Sequence, residues 1–288
     1  AYGFRDQLQD AMALTELDPQ LLRQQILLCC SRQFREGDVQ HWWHPPEGAG
    51  VRTRFSDDLL WLVAALLRHL DTGGDAALLD APAPFLEGRT VPEGAEDIYE
   101  TPSASADGAS VYEHAARALD RSLAFGAHGL PLMGAGDWND GMNRVGIEGK
   151  GESVWLAWFQ VSLLAPMAAL AAQRGEAERA THWHDARSSL LQAIESHGWD
   201  GAWYRRAFFD DGSPLGSAAN AECKIDLIAQ AWAVLAGGGD PARARQALQS
   251  AAERLMDDGH LVRLLDPPLA TQQPNAGYIQ AYPRGVRE

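Results

Sequence analysis

The sequence predicts an all-α protein, on two observations. Apolar residues recur every three or four positions along most of the 288 residues, and period-2 alternation extends over no more than a few positions. Asp18-Pro19 and Asp240-Pro241 each place a capping side chain before a first-turn proline, which is a typical helix start. With a helix start at 4–10, the predicted helices number about eight. They cover 19–34, 56–71, 108–126, 152–173, 176–197, 219–236 and 241–257.

Apolar spacing supports these helices in chain order. The helix over 19–34 contains Leu21, Leu22, Ile26, Leu27 and Cys30. The helix over 56–71 contains Leu59, Leu62, Val63 and Leu66, and it should end before Thr72-Gly73-Gly74. The segment 154–172 is apolar enough to suggest a membrane span, but it contains Gln160, Ser162 and Pro166. We therefore predict that this segment is a buried helix.

The charge balance excludes two classes of protein. Lys and Arg number 24 and Asp and Glu number 39, which gives a formal charge of −15. A nucleic-acid-binding protein, or one held by charge on anionic lipid, needs a basic face. We therefore expect neither a nucleic-acid partner nor direct membrane contact. Because no Pro/Ser-rich linker divides the chain, we predict one domain over 1–288.

The cysteines and the termini indicate the origin of the chain. Cys29, Cys30 and Cys223 cannot build a disulfide framework, because neighbouring cysteines rarely bridge and one thiol is left over. With no visible signal peptide, a reducing, cytoplasmic location is expected. Because the chain lacks a starting Met and stops within a Gly- and Pro-containing loop, we expect a fragment of a longer protein.

The connections between the predicted helices are unusually long. They cover 38–54, 81–110, 126–151 and 198–218, and together they are rich in Trp, His, Gly, Asp and Arg. Connections of this length within a domain usually carry function. The sequence therefore predicts a helical scaffold that carries a site built from loops.

The segment Gly134–Arg144 is the densest in functional side chains. It reads GAGDWNDGMNR and combines two carboxylates, two amides and an indole with glycines that allow a ligand to approach the backbone. Aromatic faces stack on pyranose rings, and Asp, Asn and Arg bind vicinal hydroxyls in pairs, so a sugar site is predicted. The alternative is a turn in which Asp137 and Asn139 only satisfy their own backbone.

Metal binding is not predicted. The segments His41–His44 and His182–His184 contain no cysteine or carboxylate at a familiar ligand spacing. No second acidic motif accompanies Asp57-Asp58, as a Mg²⁺ site of aspartate-rich type would require.

Five segments are long and distinctive: AYGFRDQLQD at 1–10, DVQHWWH at 38–44, GVRTRFSDDLLW at 50–61, GLPLMGAGDWNDGMNRVG at 129–146 and YPRGVRE at 282–288. In this order they resemble glycoside hydrolase family 94, and in particular the phosphorylase-like domain of cyclic β-1,2-glucan synthases and the 1,2-β-oligoglucan phosphorylases. The resemblance implies an (α/α)6 barrel, or toroid, which our helix count fits only if the barrel is incomplete at its C-terminal end. It also implies inverting phosphorolysis of β-glucosidic bonds to α-glucose 1-phosphate, with inorganic phosphate as co-substrate and no other cofactor. A homodimer is expected, as is common in the family.

The resemblance also implies roles for single residues. Asp140 is the expected general acid, kept protonated by burial and by carboxylates such as Asp137, and Trp138 lines the glucosyl subsite. Arg5, Asp6 and Asp10 are expected to bind sugar hydroxyls. Further expected substrate-binding residues are Asp137, Arg52, Asp58 and the basic Arg287 near the C-terminus.

Two alternatives to a phosphorylase stay open at this point. An inverting hydrolase would need a second carboxylate about 6.5–9.5 Å from Asp140 to activate water, and Glu222 and Glu100 are the candidates. A catalytically silent domain that binds glucan or controls its chain length is the other alternative.

Overall fold

The computed structural model describes residues 1–92, 94–258 and 260–286. The chain divides into two compact units, Ala1–Leu123 and Ala124–Glu288. The single domain over 1–288 stays a prediction.

The fold is mixed α/β. Helices account for 44% and strands for 19%, in several sheets. The all-α prediction is therefore wrong, and so is the incomplete (α/α)6 barrel as a description of this chain. The error falls mainly in the long connections 38–54 and 81–110, which contain five of the six strands of the first unit among the described residues.

The first unit contains four α-helices and six strands in its described residues. In chain order these are β1 (Tyr2–Gly3), α1 (Phe4–Ala13), α2 (Pro19–Cys30), β2 (Gln40–His44), β3 (Ala49–Thr53), α3 (Asp58–Asp71), β4 (Pro82–Glu87), β5 (Asp97–Glu100), β6 (Ser103–Ser110) and α4 (Val111–Ser122). A 3₁₀ turn, Ala76–Asp80, follows α3. The strands form an antiparallel sheet in the order β1-β2-β3-β5 and a separate β4–β6 ribbon.

These strands have little apolar alternation in their sequence. β6 reads SASADGAS and β2 reads QHWWH, and two of the first three residues of β4 are prolines. Such strands form by backbone pairing with another segment, and their few buried side chains, such as Trp43 and Phe85, do not make a long alternating run. Residue periodicity therefore cannot detect them.

The four helices of the first unit pack together around an apolar core. Its fully buried members include Leu8, Leu22, Ile26, Leu62, Leu66 and Leu119. His114 lies in this core, where its Nδ1 is 2.7 Å from Oε1 of Gln33. Burial lowers the pKa of His114 to about 4, so its ring is neutral at pH 7.

The second unit contains the other four α-helices of the described residues. Its elements in chain order are β7 (Glu152–Ser153), α5 (Val154–Gln173), α6 (Ala177–Ala193), β8 (Ala207–Phe208), β9 (Pro214–Leu215), β10 (Ile225–Asp226), α7 (Leu227–Leu235), α8 (Pro241–Leu255), β11 (Met256–Asp257), β12 (Leu261–Val262) and β13 (Leu265–Asp266). Short helical turns lie at Asp140–Met142, Ile194–Gly198 and Tyr278–Ala281. The predicted helix 219–236 thus begins only at Leu227, after a loop and a strand.

Helix α5 is the central helix of the second unit and contacts both α6 and α7. It is the one helix among the described residues that is long and apolar enough to cross a membrane, and 67% of its apolar window is buried inside the structure. Trp155 and Trp158 are fully buried in it. The prediction of a buried helix is confirmed.

The N-terminus of α4 provides a test of the first unit. The backbone N–H of Glu113 donates to Oγ of Ser110 at 3.2 Å, which caps the helix. We expect Ser110→Ala to lower the free energy of unfolding by about 1 kcal/mol, measured by urea denaturation. Ser189→Ala, at an exposed position within α6, is the control and should change it by less than about 0.5 kcal/mol. Equal effects of the two substitutions would contradict the capping role.

Candidate active site

The Gly134–Arg144 segment is a loop of the second unit that contains one 3₁₀ turn, Asp140–Met142. The backbone N–H of Asn139 donates to Oδ1 of Asp137 at 3.2 Å, and that of Gly141 donates to Oδ1 of Asn139 at 3.1 Å. Asp137 and Asn139 thus accept hydrogen bonds from the backbone of their own turn, as the alternative to a sugar site predicted. Trp138 and Asp140 are half-buried and lie within this turn.

Asp137 is fully buried and is held by Arg206, which is also fully buried. The Arg206 Nη1 donates to Oδ2 of Asp137 at 2.7 Å and Nη2 donates to Oδ1 at 2.5 Å. Ser153 Oγ donates to the same Oδ2 at 2.7 Å. The charge of Asp137 is thus compensated by Arg206. A contact of Asp137 with substrate stays a prediction.

Arg206 faces a second buried carboxylate, that of Asp226. The Arg206 Nε lies 3.4 Å from Oδ2 of Asp226. Burial raises the pKa of Asp226 to about 6, because the cost of burying its charge exceeds the attraction of Arg206, and Asp137 raises it further. Burial alone would lower the pKa of Arg206, but the two carboxylates together hold it above its usual value. Sequence reasoning missed Arg206 and Asp226, because neither lies in a recognisable motif.

An open cleft of about 310 Å³ lies beside this loop in the second unit. Its lining residues are Asn143, Arg144, Ala270, Asn275, Gly277, Tyr278, Gln280 and Ala281. The backbone N–H of Tyr278 donates to Oδ1 of Asn143 at 3.0 Å. Gly277 has φ 130°, and a Cβ there would overlap Oδ1 of Asn143, so this close approach requires glycine. The cleft wall is therefore attached directly to the segment that contains Asp140.

Glu222 holds the loop at one side of this cleft. Its Oε2 accepts from the backbone N–H groups of Ala270, Thr271 and Gln272 at 2.7, 2.8 and 2.9 Å. Although burial opposes the shift, these hydrogen bonds lower its pKa. Glu100, the other candidate base, lies in the first unit, where its Oε1 accepts from the backbone N–H of Arg89 at 2.9 Å. Both carboxylates thus have structural partners.

In the first unit, Arg5 begins α1 and is buried. Its Nη1 donates to Oδ2 of Asp57 at 3.2 Å, and Trp61 Nε1 donates to the same oxygen at 3.0 Å. Asp6 and Asp10 are exposed on the same helix. Asp57 is the N-cap residue of α3, but its side chain makes no capping hydrogen bond and instead binds Arg5. The roles of Arg5, Asp6 and Asp10 in sugar binding stay predictions.

Arg52 is buried within the first unit and binds Asp38 through two contacts. Its Nε and Nη2 lie 2.7 Å from Oδ2 and Oδ1 of Asp38, and Nη2 lies 3.1 Å from Glu36. Its guanidinium also lies 3.7 Å above the centre of the Phe34 ring. These contacts hold β3 to the preceding segment, and a contact of Arg52 with sugar stays a prediction.

Asp58 is buried at the start of α3. Its Oδ2 lies 2.7 Å from Nδ1 of His41, whereas its buried Oδ1 has no hydrogen-bond partner in the part of the chain that the structure describes. An unpaired buried oxygen of this kind suits a hydroxyl donor. Arg287 lies outside the described residues. Within the described ranges, no group of three His, Cys, Asp or Glu side chains is placed to hold a metal ion.

The catalytic-domain model of the Glycosyl hydrolase 94 superfamily matches residues 1–288. The chain belongs to this family. It is 48% identical, over its whole length, to the cyclic beta-(1,2)-glucan synthase NdvB of Rhizobium meliloti (strain 1021), of which it covers 10%. It is 32% identical over 99% of its length to the 3-O-beta-D-glucopyranosyl-beta-D-glucuronide phosphorylase of Paenibacillus borealis, of which it covers 35%. The family resemblance inferred from the motifs is confirmed.

A solved structure supports the fold alone. A rhamnosidase from Klebsiella oxytoca with rhamnose bound superposes with a TM-score of 0.57 at 16% identity, over 88% of this chain and 41% of that chain. The chain shares its fold with part of this larger enzyme. It spans 10% and 35% of the lengths of the two curated relatives named above.

Asp226 predicts a pH dependence of stability. Because its pKa is raised in the folded protein, its contribution to stability is fully present below about pH 4 and is lost as the pH rises through about 6. Asp226→Asn removes the buried charge and keeps a side chain that can cap α7. The free energy of unfolding of the variant minus that of wild type is the quantity to follow. We expect this difference to increase between pH 4.5 and pH 7.5 by at most about 3 kcal/mol.

Urea denaturation at several pH values measures this difference. Arg206, Asp137 and the buried thiol of Cys223 face Asp226 and remain in the variant. Asp211→Asn is the control, because hydrogen bonds from Ser213 lower the pKa of this exposed carboxylate. A difference for Asp226→Asn that stays constant with pH would refute the raised pKa.

Arg52 provides a test of structural against ligand-binding roles. Arg52→Lys keeps the charge but loses the two-point contact with Asp38 and the stacking on Phe34. We expect the free energy of unfolding to fall by about 2 kcal/mol. Arg89→Lys, at a side chain that is 71% exposed, should change it little. Unchanged stability combined with weaker saccharide binding would instead favour the predicted sugar contact.

Proposed function

We propose that this chain supplies the general acid and part of the saccharide site of an inverting phosphorylase that acts on β-glucosidic bonds. The observation that carries the proposal is the family membership of a chain whose Asp-Trp-Asn-Asp segment is intact and belongs to a loop whose end, Asn143-Arg144, lines an open polar cleft. The proposed substrate is β-1,2-glucan, and this is supported by the 48% identity to a cyclic beta-(1,2)-glucan synthase.

In the proposed reaction, Asp140 donates a proton to the glycosidic oxygen as the bond from that oxygen to the anomeric carbon breaks. A phosphate oxygen attacks the same carbon from the opposite face and forms the new bond, so the configuration inverts and α-glucose 1-phosphate leaves. Phosphate is already an anionic nucleophile, so no base is needed to activate it. The binding of Glu222 and Glu100 by structural partners supports phosphorolysis over hydrolysis, which needs a second carboxylate.

The remaining parts of the proposal concern substrates and setting. Inorganic phosphate is the co-substrate and no further cofactor takes part. The cleft lined by Arg144, Asn275 and Tyr278 offers polar and aromatic contacts to a glucose unit next to the bond that is cleaved. We place the reaction in the cytoplasm, and the assembly is proposed to be a homodimer.

The central experiment measures glucose 1-phosphate released from short β-1,2-gluco-oligosaccharides, with and without phosphate. Because the chain spans about a third of a related phosphorylase, the assay includes a longer natural protein that contains these residues. Phosphate-dependent release supports the proposal. Phosphate-independent release of glucose would identify a hydrolase, and glucan binding without turnover in either protein would identify a silent binding domain.

The general acid is tested by Asp140→Asn, which keeps the shape of the side chain but removes its proton. We expect kcat on oligosaccharides to fall by about 10²- to 10⁴-fold. An aryl β-glucoside with an acidic phenol should lose far less, because its leaving group needs no proton. Asp211→Asn, at an exposed carboxylate of the same unit, should retain activity. Near-wild-type oligosaccharide turnover by Asp140→Asn would show that another group is the acid.

A further inference from the structure

The backbone of Arg206 is fixed between two other segments of the second unit. Its N–H donates to the carbonyl of Leu215 at 2.8 Å, and its carbonyl accepts from the N–H of Val154 at 3.1 Å. Gly216 packs so closely that a Cβ would overlap the Arg206 backbone. The guanidinium therefore projects from a rigid point at the start of β8 and α5.

A chain of hydrogen bonds leads from this guanidinium to the residue after Asp140. Arg206 holds both oxygens of Asp137, Asp137 accepts from the N–H of Asn139, and Asn139 accepts from the N–H of Gly141. Asp140 thus lies between two residues whose backbone N–H groups are fixed by this chain. Removing Arg206 would free its first link.

Charge makes Arg206 difficult to replace. It faces the buried carboxylates of Asp137 and Asp226, and without it both would be uncompensated. Breaking a buried pair by removing one partner costs far more than an exposed pair contributes. Lysine keeps the charge, but its single ammonium cannot reproduce the two parallel hydrogen bonds of the guanidinium fork.

We propose that Arg206 is a positioning residue for catalysis: through Asp137 and Asn139 it holds the backbone at 139–141 so that Asp140 is presented to the glycosidic oxygen. This inference rests on the proposed function of Asp140. A displacement of about 1 Å at a reacting group can cost about 10²-fold in rate, so loosening this chain has a kinetic consequence.

The kinetic test compares Arg206→Lys with Arg205→Lys. Arg205 is the adjacent arginine, and its guanidinium binds Asp200 and the carbonyl of His197. For Arg206→Lys we expect kcat on β-1,2-gluco-oligosaccharides to fall about 10²-fold with KM changed less than about threefold. On an aryl β-glucoside with an acidic phenol, the loss should be below about tenfold, because no proton is required. Equal losses on the two substrates would indicate general damage to the fold and overturn the proposal.

Hydrogen exchange provides a readout that is independent of activity. In Arg206→Lys, the backbone amides of Asn139 and Gly141 should exchange at least about tenfold faster than in wild type, and in Arg205→Lys they should not. Unchanged exchange would overturn the proposal even if the enzyme is a phosphorylase. Faster exchange in a protein that shows no phosphate-dependent turnover would support the anchoring of the loop and reject the proposed function.

A second variant keeps the test decisive if Arg206→Lys does not fold. Arg206→Gln combined with Asp137→Asn and Asp226→Asn removes the three buried charges that face one another and leaves amides in their place. We expect this triple variant to fold and to show the same faster exchange and the same dependence of kcat on the leaving group. Wild-type exchange and kinetics in the folded triple variant would overturn the proposal.

Discussion

Burial of a single guanidinium group organises the candidate active site. Arg206 compensates Asp137, partly compensates Asp226, and is held in turn by the strands and helix on either side of it. Because an uncompensated charge in this interior is costly, the loop that contains Asp137 must remain where the guanidinium is. Asp140 follows three residues later, so the position of its backbone depends on the pairing of Asp137 with Arg206.

The same principle governs the charged residues of the first unit. Arg5 is bound by Asp57 and Arg52 by Asp38, although the sequence suggested these arginines only as sugar ligands. A buried arginine with five donors can bind a carboxylate and still present donors elsewhere, so structural pairing and ligand binding are compatible. Asp58 differs, since one of its oxygens is bound to His41 while the other is buried without a partner among the described residues.

The cleft lined by Asn143 and Arg144 depends on two local contacts. Glu222 gathers three consecutive backbone N–H groups of the loop at 270–272, and Gly277 allows the following segment to approach Asn143 closely. Glu222, which the sequence offered as a candidate base, thus shapes the cleft. This favours a reaction that needs one carboxyl group, which is what phosphorolysis requires.

By itself, the sequence determined the family, the positions of most helices and the segment that contains Asp140. Long motifs identify a family because they are specific, and helices follow from local spacing and caps such as Asp18-Pro19 and Asp240-Pro241. The tertiary structure decided the mixed α/β class, since strands such as SASADGAS depend on partners far along the chain. It also decided the partners of the buried charges. Asp137 and Arg206 are 69 positions apart, and no local pattern links them; only the folded interior, where a charge must find its counter-charge, brings them together.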